Sequence, residues 1–392
     1  MKVCFDTFGC RLNRAEALEQ EAEYLAGGWK LTNSHSDADV IVVRGCSVTQ
    51  RAQRDCEQLI THIRKKYPNT RLLIEGCIAA ARTSRITAPQ PHISLRNAQG
   101  GTPIPTRTAR AYLKVQDGCA GKCTFCIVPK FRGKSSSVDF NAVLDKAKRF
   151  IDVGYHEIVV TGCNLSLYAS NGKRLPELMD ALAALSPECR IRLGSLEPSD
   201  VAAEVVAVMS GKANVCRFLH IPVQSASNRI LVAMKRPYTA NDVDELVRAI
   251  RRQIPNAGIG CDLMTGFPSE SDLDFMATFG MLDRNPFSRV HVFSFSERPG
   301  TPAASMAGSV PPEIRKSRAK KLSALADAKR SAFARRFIGK TTEIVVEDEG
   351  TCSGWTSEYL WCTCPHAHPP RKSLVTVRIT GAKGHTLTGT PI

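Results

Sequence analysis

No apolar run in the 392-residue chain approaches the roughly 18 residues that mark a membrane span. The chain also opens without a charged, apolar, cleavable leader, because its first residues already read as a strand followed by "RLNRAEALEQEAEYLA". Both absences lead to the expectation of a cytoplasmic protein with no membrane partner. Disulfides are disfavoured in that compartment, so the 15 cysteines point to metal binding or catalysis rather than to a stapled scaffold. Acidic residues are scarce as well: 37 Asp and Glu face 53 Lys and Arg, a formal charge of +16. That excess favours a polyanionic partner, nucleic acid foremost, through long-range attraction and counterion release; a basic surface without a partner is the alternative. There is no close internal repeat. With 43% hydrophobic residues the chain can bury a sizeable core, and its length suggests roughly two or three domains.

What is present is an alternation of strand and helix signals, which predicts an α/β fold. Up to about Arg82 the pattern is an N-terminal βαβ parallel-sheet unit, with strands over 2–8, 40–43 and 71–74 and helices over 13–26 and 49–65. Ligands of parallel sheets gather outside the carboxyl ends of the strands. Cys10, Cys46 and Cys77 each follow a glycine one step past such an end, so the topology brings all three onto one rim. A stretch rich in Pro, Gly, Thr and Arg then marks a boundary. Between Ala111 and Met306 six strands alternate with helices: "AYLKVQ", "HEIVVTG", "RIRLGSLE", "RFLHIPVQ", "GIGCDLMTGF" and "RVHVFSF". These predict a partial (β/α)6, TIM-like barrel with its chemistry at the strand carboxyl ends. From Arg315 to Lys340 the chain holds ten Lys/Arg and one acid, Asp327, on a helical period that keeps Leu322, Leu325, Phe333 and Phe337 for packing. Four short strand signals follow, "TTEIVVED", "SEYLWCT", "SLVTVRIT" and "HTLTGTPI", as in a small β-barrel. A basic helix leading into such a barrel suits RNA contact.

The chemistry lies in "VQDGCAGKCTFCIVPKFRG", where Cys119, Cys123 and Cys126 are spaced C-x3-C-x2-C. A structural zinc wants four protein ligands, and no fourth is spaced nearby. Three thiolates on one tight loop suit a 4Fe-4S cluster with one iron left open. An open iron can chelate the amino and carboxylate groups of S-adenosylmethionine and pass an electron to its sulfonium, which yields a 5′-deoxyadenosyl radical. Phe125 packs against this loop or against adenine, with an ordinary core aromatic as the alternative, Phe131 is a packing residue, and Arg132 either orients an anionic substrate or caps the loop.

With these residues the chain resembles the radical S-adenosylmethionine methylthiotransferases over nearly its full length. "TFGCRLNRAE", "GCSVT" and "EGCIA" carry the likeness in the first unit, and "YLKVQDGCAGKCTFCIVPKFRG", "RIRLGSLEP", "HIPVQSASNRIL", "MKRPYT" and "GCDLMTGFPSE" carry it in the second. The tail resembles the family's RNA-binding TRAM domain. The implied division is an N-terminal methylthiotransferase domain over 1–92, a linker over 93–110, a radical SAM core over 111–310, a basic connector over 311–338 and a TRAM-like domain over 339–392. The resemblance implies that Cys10, Cys46 and Cys77 hold a second, auxiliary 4Fe-4S cluster that serves sulfur delivery, so the cofactors are two 4Fe-4S clusters and S-adenosylmethionine. Resemblance and strand-end position together nominate Thr161, Gly162, Asn164, Glu197, Gln224 and Asp262 around S-adenosylmethionine, each with the alternative of an ordinary rim hydrogen bond.

Within the family, "RAYLKVQDGC" and "GCRLNRAEALEQEA" look most like the branch that acts on N6-threonylcarbamoyladenosine at position 37 of tRNA. A sister branch takes N6-isopentenyladenosine, and a third modifies a ribosomal-protein aspartate, against which the +16 charge argues. A noncatalytic Fe-S protein that binds RNA is the reading from a different class; two triads without a fourth ligand weigh against it. The implied partners are tRNA, an electron donor such as flavodoxin or ferredoxin, and a sulfur source. Two departures from the family are visible: the segment from Ile78 to Ala111 is short, and Arg44-Gly45 stands where relatives commonly read Asn-Thr. Cys163 and Cys261 also follow glycine at predicted strand ends, so Gly-Cys alone identifies no ligand. With Cys4, Cys56, Cys189 and Cys216 they read as packing thiols. Cys352, Cys362, Cys364, His366 and His368 are too irregular for a zinc site, and His220 reads as a hydrogen-bonded rim residue.

Overall fold

The apolar run at Val40 to Val43 has no polar alternation because both of its faces are covered. Val40 and Val42 pack with Val3, Phe5, Leu73 and Tyr24 of the helix Arg11–Ala26, while Ile41 and Val43 pack with Cys56, Ile60 and Ile63 of the helix Gln50–Lys66. In the computed structural model, which describes residues 1–81, 108–348 and 350–392, this run is the strand Val40–Gly45, flanked by Lys2–Thr7 and Arg71–Gly76. A fourth strand, Lys30–Thr32, extends the sheet at the edge beside Lys2–Thr7, and every pair is parallel. Three residues are too few to show a hydrophobic period, which is why the pattern missed it. Most of the expected linker, 93–107, lies outside the described residues, as does most of the short segment between Ile78 and Ala111.

The second unit has the six expected parallel strands: Ala111–Lys114, Glu157–Thr161, Arg190–Leu193, Phe218–Gln224, Gly258–Thr265 and Arg289–Ser294. They lie side by side in sequence order, with a bridge from Ser195 to His220 joining the two halves. Leu113, Val160, Ile191, Leu219, Ile221, Ile259, Cys261 and Leu263 turn outward into the main core shared with the helices. By strand alternation their neighbours face the barrel interior. That interior is unusually rich in charge: Lys114, Glu157, Arg190, Arg192, His220, Asp262, Arg289 and His291.

Two other parts of the chain fill this interior. Helix Arg11–Ala26 lays Ala15 and Leu18 on Tyr112 and Val159. From the tail, the turn after Thr356 enters near the amino ends of the strands, where Tyr359 stacks on Trp355 and packs against Phe218. Gly258 is needed there, since a Cβ would come within 2.3 Å of the Glu358 carbonyl. Arg190 and Arg192 donate to the carbonyls of Glu343, Trp355, Thr356 and Ser357, and both pair with the fully buried Glu157, as Arg110 also does. Burial would raise the Glu157 carboxyl, but Arg192 and Arg190 outweigh it and hold it well below the usual carboxylate range.

The tail is a closed five-stranded barrel in the order Thr341–Val346, Cys352–Thr356, Trp361–Cys364, Thr386–Pro391, Leu374–Lys383. One expectation shifts: Ser357 to Tyr359 form the inserted turn, and Cys352–Thr356 is a strand that its Ser-Gly pair disguised as a loop. Gly354 lets that strand pass Val345, whose carbonyl oxygen would lie 1.9 Å from an added Cβ. Cys352, Cys362 and Cys364 belong to the barrel's apolar core with Phe333, Phe337, Val377 and Leu387. The preceding helix, Pro312–Arg335, buries Leu322 and Phe333 and leaves most of its lysines in water. No helix among the described residues is long and apolar enough to cross a membrane.

Replacing Glu157 with Gln leaves buried guanidiniums without their anion, and we expect a loss of about 3–5 kcal/mol at pH 7, measured as a lower urea midpoint with increased proteolysis between the barrel and the tail. Because the folded carboxyl titrates below its unfolded value, the difference from wild type is full above about pH 4.3 and shrinks as the pH falls below it.

Candidate functional site

The glycines before Cys10, Cys46 and Cys77 have one physical purpose, close approach of three loops. Gly9 has φ +104°, and a Cβ on it would sit 2.5 Å from the Cys46 Cβ. Gly45 faces the Ile78 side chain and the Cys56 Sγ at 2.6 and 2.8 Å, and Gly76, with φ +75°, faces the Gly45 carbonyl at 2.8 Å. Cys10 caps the helix Arg11–Ala26, Cys46 follows its strand directly, and Cys77 opens the short helix Cys77–Ala80. Their mutual influence is electrostatic as well: burial pushes the Cys46 thiol up to about 11, and Cys10 and Cys77 add to the rise.

Arg44, the departure from the family pattern, has a structural partner set. It pairs with Glu16 (3.0 Å) and Glu75 and donates to Gln20 (3.2 Å). Glu16 in turn receives Lys114 (2.9 Å) and Arg132 (2.8 Å) from the second unit. Burial would raise the Glu16 carboxyl, yet Arg132 and Lys114 outweigh it and hold it below its ordinary value. Arg132 neither caps its loop nor stands free. Its guanidinium reaches Asn13 (2.8 Å) on one side and Asp117 (3.0 Å), two residues before Cys119, on the other, and it partly offsets the rise that burial imposes on the Cys77 thiol.

In the second unit Cys119, Cys123 and Cys126 lie half-buried on the loop after the first strand. The Gly121 amide donates to the Cys119 Sγ (3.2 Å), and the Arg236 guanidinium donates to the Cys123 Sγ (3.0 Å). Burial raises the Cys123 thiol above its ordinary value, and the Arg236 guanidinium works against that rise, toward the thiolate form that iron requires. Arg236 also pairs with Glu197 (2.7 Å), which accepts from the Asn164 side chain (3.3 Å). Gln116 joins the two loops, donating to the Gly118 carbonyl (2.7 Å) and accepting from the Asn164 amide (2.9 Å). A Cβ on Gly162 would strike the Gln116 Oε1 at 2.8 Å. Thr161 ends its strand, buried. Gln224 sits at φ +67°, a strained value for a residue with a side chain, and its Oε1 is buried without a partner. Asp262 belongs to a different group: its Oδ1 takes His220 Nε2 (2.9 Å) and His291 Nδ1 (3.1 Å). Phe125 packs with Ile230, Met234 and Phe267.

Sequence reasoning missed Arg236, Glu16, Gln116 and Arg298. Arg298 reaches from the loop after the last strand into the first unit, donating to the Ser47 carbonyl (2.7 Å) and the Gln53 side chain (2.6 Å) beside Cys46. Arginines directly after a strand, as in "SERPGT", and within the quoted "MKRPYT" were the available signal.

The donor sets fit polynuclear groups better than single ions. Tetrahedral zinc with bonds of about 2.3 Å needs sulfurs roughly 3.8 Å apart. Among the described residues the one set of three donors all within 4.8 Å of one another is His220, Asp262 and His291, so neither cysteine triad is drawn in that tightly. The orphaned Gln224 oxygen at the strand ends likewise fits a polar ligand such as S-adenosylmethionine.

Comparison with known proteins agrees. A model described as the radical SAM superfamily matches residues 113–282, and one described as uncharacterized protein family UPF0004 matches residues 2–96. The threonylcarbamoyladenosine tRNA methylthiotransferase of Thermotoga maritima is 31% identical over 391 residues, covering 91% of this chain and 90% of its own. The chain belongs to the radical SAM methylthiotransferase family. A tRNA-2-methylthio-N(6)-dimethylallyladenosine synthase of Porphyromonas gingivalis is 30% identical, covering 88% of this chain and 84% of its own. Among solved structures, the radical S-adenosylmethionine methyltransferase TsrM of Kitasatospora setae with tryptophan and an S-adenosylmethionine analogue bound shares the fold, with TM-score 0.57 and 14% identity over 77% of this chain and 75% of its own. As a methylthiotransferase of this family, the protein uses 4Fe-4S clusters and S-adenosylmethionine.

Replacing Gly9 with Ala places a methyl group against Cys46, and we expect the reconstituted protein to hold about four irons rather than about eight. Iron and sulfide analysis measures this, with reductive S-adenosylmethionine cleavage retained as the sign that the second unit is intact.

Proposed function

We propose that the protein is a tRNA methylthiotransferase that places a methylthio group on C2 of N6-threonylcarbamoyladenosine at position 37, beside the anticodon. The observation that carries this reading is Arg132, whose single guanidinium bonds Asn13 and Glu16 of the helix that starts beside Cys10 of one triad and Asp117 at the foot of the loop bearing the other. Sulfur donor and radical source must meet at one carbon, and a shared seam between the triads supports such a meeting. Cys119, Cys123 and Cys126 would hold the cluster that binds S-adenosylmethionine, and Cys10, Cys46 and Cys77 the auxiliary one. Adenine C2 carries neither an acidic proton nor a leaving group, so acid-base chemistry has little purchase there, and the bound clusters and S-adenosylmethionine supply one-electron chemistry instead.

The chain's own residues position and insulate. Arg236 neutralises Cys123 and orients Glu197. Asn164 and Glu197 offer polar groups to a ribose, and Thr161, Gly162 and Gln224 complete the S-adenosylmethionine contacts; Asp262 is the least suited of the nominated residues, since its carboxylate already takes two imidazoles. Arg132 and Arg298 fix the auxiliary loops to the barrel. On this reading 1–92 delivers sulfur, 111–310 generates the radical, and 311–338 with 339–392 bind RNA through their basic surface, with an electron-donor protein and a sulfur source as further partners. Relatives named for the threonylcarbamoyl and for the dimethylallyl substrate are equally similar, so the first is chosen on "RAYLKVQDGC" and "GCRLNRAEALEQEA".

Nucleoside mass spectrometry of tRNA from a deletion strain is expected to show loss of 2-methylthio-N6-threonylcarbamoyladenosine. Unchanged levels of that nucleoside with loss of the isopentenyl counterpart would overturn the substrate choice. Cys46→Ala is expected to abolish methylthiolation while leaving S-adenosylmethionine cleavage largely in place; product formed at the wild-type rate would refute the role of the auxiliary triad.

A further inference from the structure

Beneath the strand ends the barrel interior carries positive charge that no carboxylate among the described residues neutralises. Arg289 and His291 lie on the last strand two residues apart, on the same inward side as Asp262. Among the described residues Arg289 has no carboxylate partner. Its guanidinium lies over Tyr359 (4.7 Å) and Trp355 (5.3 Å), and its Nη1 is buried without an acceptor. Arg11, the residue after Cys10, reaches the same tyrosine (5.2 Å) and donates to the Leu193 carbonyl (3.2 Å), again with no carboxylate. Arg192 also faces Tyr359, but Glu157 neutralises it.

The three donors His220, Asp262 and His291 lie within 4.8 Å of one another, as metal ligands would, but their hydrogen bonds argue against an ion. Arg289 Nε donates to His291 Nε2 (3.3 Å), which assigns the imidazole proton to Nδ1, where it is donated to Asp262. The Asp262 carboxylate is therefore occupied by two imidazoles, and the Arg289 guanidinium is what remains open. Burial would raise the Tyr359 hydroxyl, yet Arg11, Arg110, Arg192 and Arg289 bring it down to about 8, consistent with cations in excess.

We propose that Arg289, positioned by His291 and joined by Arg11, forms a carboxylate-recognition subsite for the N6 substituent of the substrate nucleoside, an inference that rests on the threonylcarbamoyl reading above. The depth is suitable. Asp262 and its partner His291 lie three residues before their strands end, roughly 10 Å below the rim, and Arg289, rooted two residues deeper, brings its Nε up to the His291 Nε2 (3.3 Å) near that level. In the substituent four bonds separate N6 from the carboxylate carbon, about 5 Å at standard bond lengths, and the purine's own width adds to this reach. A carboxylate would meet the orphaned Nη1 in a charge-assisted pair, whereas a neutral prenyl group would leave the guanidinium buried and unpaired.

The test uses the full-length reconstituted enzyme and three tRNA substrates, bearing threonylcarbamoyladenosine, its threoninamide analogue, or isopentenyladenosine at position 37. Wild type is expected to prefer the acid over the amide by at least about tenfold in kcat/KM, and Arg289→Gln to erase that preference while Arg289→Lys keeps part of it. Substrate-independent S-adenosylmethionine cleavage reports that the variants are folded and loaded; should Arg289→Gln lose it, His291→Gln decides, with an unchanged acid preference overturning the proposal. An equal loss on acid and amide substrates in Arg289→Gln would also overturn it, in favour of a contact to backbone phosphate. Activity on isopentenyladenosine with none on threonylcarbamoyladenosine would sink the substrate reading itself, a result distinct from either.

Discussion

Two carboxylates, one fully buried and one half-buried, let three strongly basic pieces of chain close on one another. Glu16 gathers Arg44, Lys114 and Arg132 at the seam between the first sheet and the barrel, and Glu157 gathers Arg110, Arg190 and Arg192 where the tail meets the barrel. In a chain of charge +16 the cations at such seams repel one another unless an anion is placed among them. Desolvating an ion pair is costly, so these groups fix geometry more than they add stability. What they fix is consequential: Arg132 sets one cysteine triad against the other, and Arg192 holds the tail's turn inside the barrel.

The second constraint is steric. Three cysteines at three strand ends converge only because the residue before each lacks a Cβ, and in two of the three the backbone also takes a conformation suited to glycine. Arg44 fits the same scheme. Its aliphatic stem lies against Gly76, and its guanidinium holds Glu16 and Glu75 together, so the change from the family pattern brings a charged strut to the back of the cysteine rim.

Much of this was legible in the sequence. Apolar runs ending in Gly-Cys gave the parallel strands and the shared rim, and the C-x3-C-x2-C spacing marked the second triad. Periodicity also gave the six barrel strands and the basic helix. What escaped is tertiary in origin. Lys30–Thr32 is a strand because a neighbour lends it a hydrogen-bonding edge, and Cys352–Thr356 because Gly354 slips past Val345. Arg236 and Arg298 are polar residues after ordinary elements; only the fold shows that one meets a cysteine sulfur and the other crosses to a different unit. Cys163 and Cys261 show the converse, since they share the Gly-Cys signature and the glycine there accommodates Gln116 or His220 instead of a converging loop.

Tyr359 has a consequence for how such chains can be recombined. The turn that carries it belongs to the tail by sequence, but its ring stands among Phe218, Arg192 and Arg289 of the barrel and Arg11 of the first unit. A tail exchanged between relatives would therefore have to bring a matching turn, or the barrel would inherit a hole lined with unscreened cations. The three units look like separable modules along the chain, yet at this one ring they share a single inheritance.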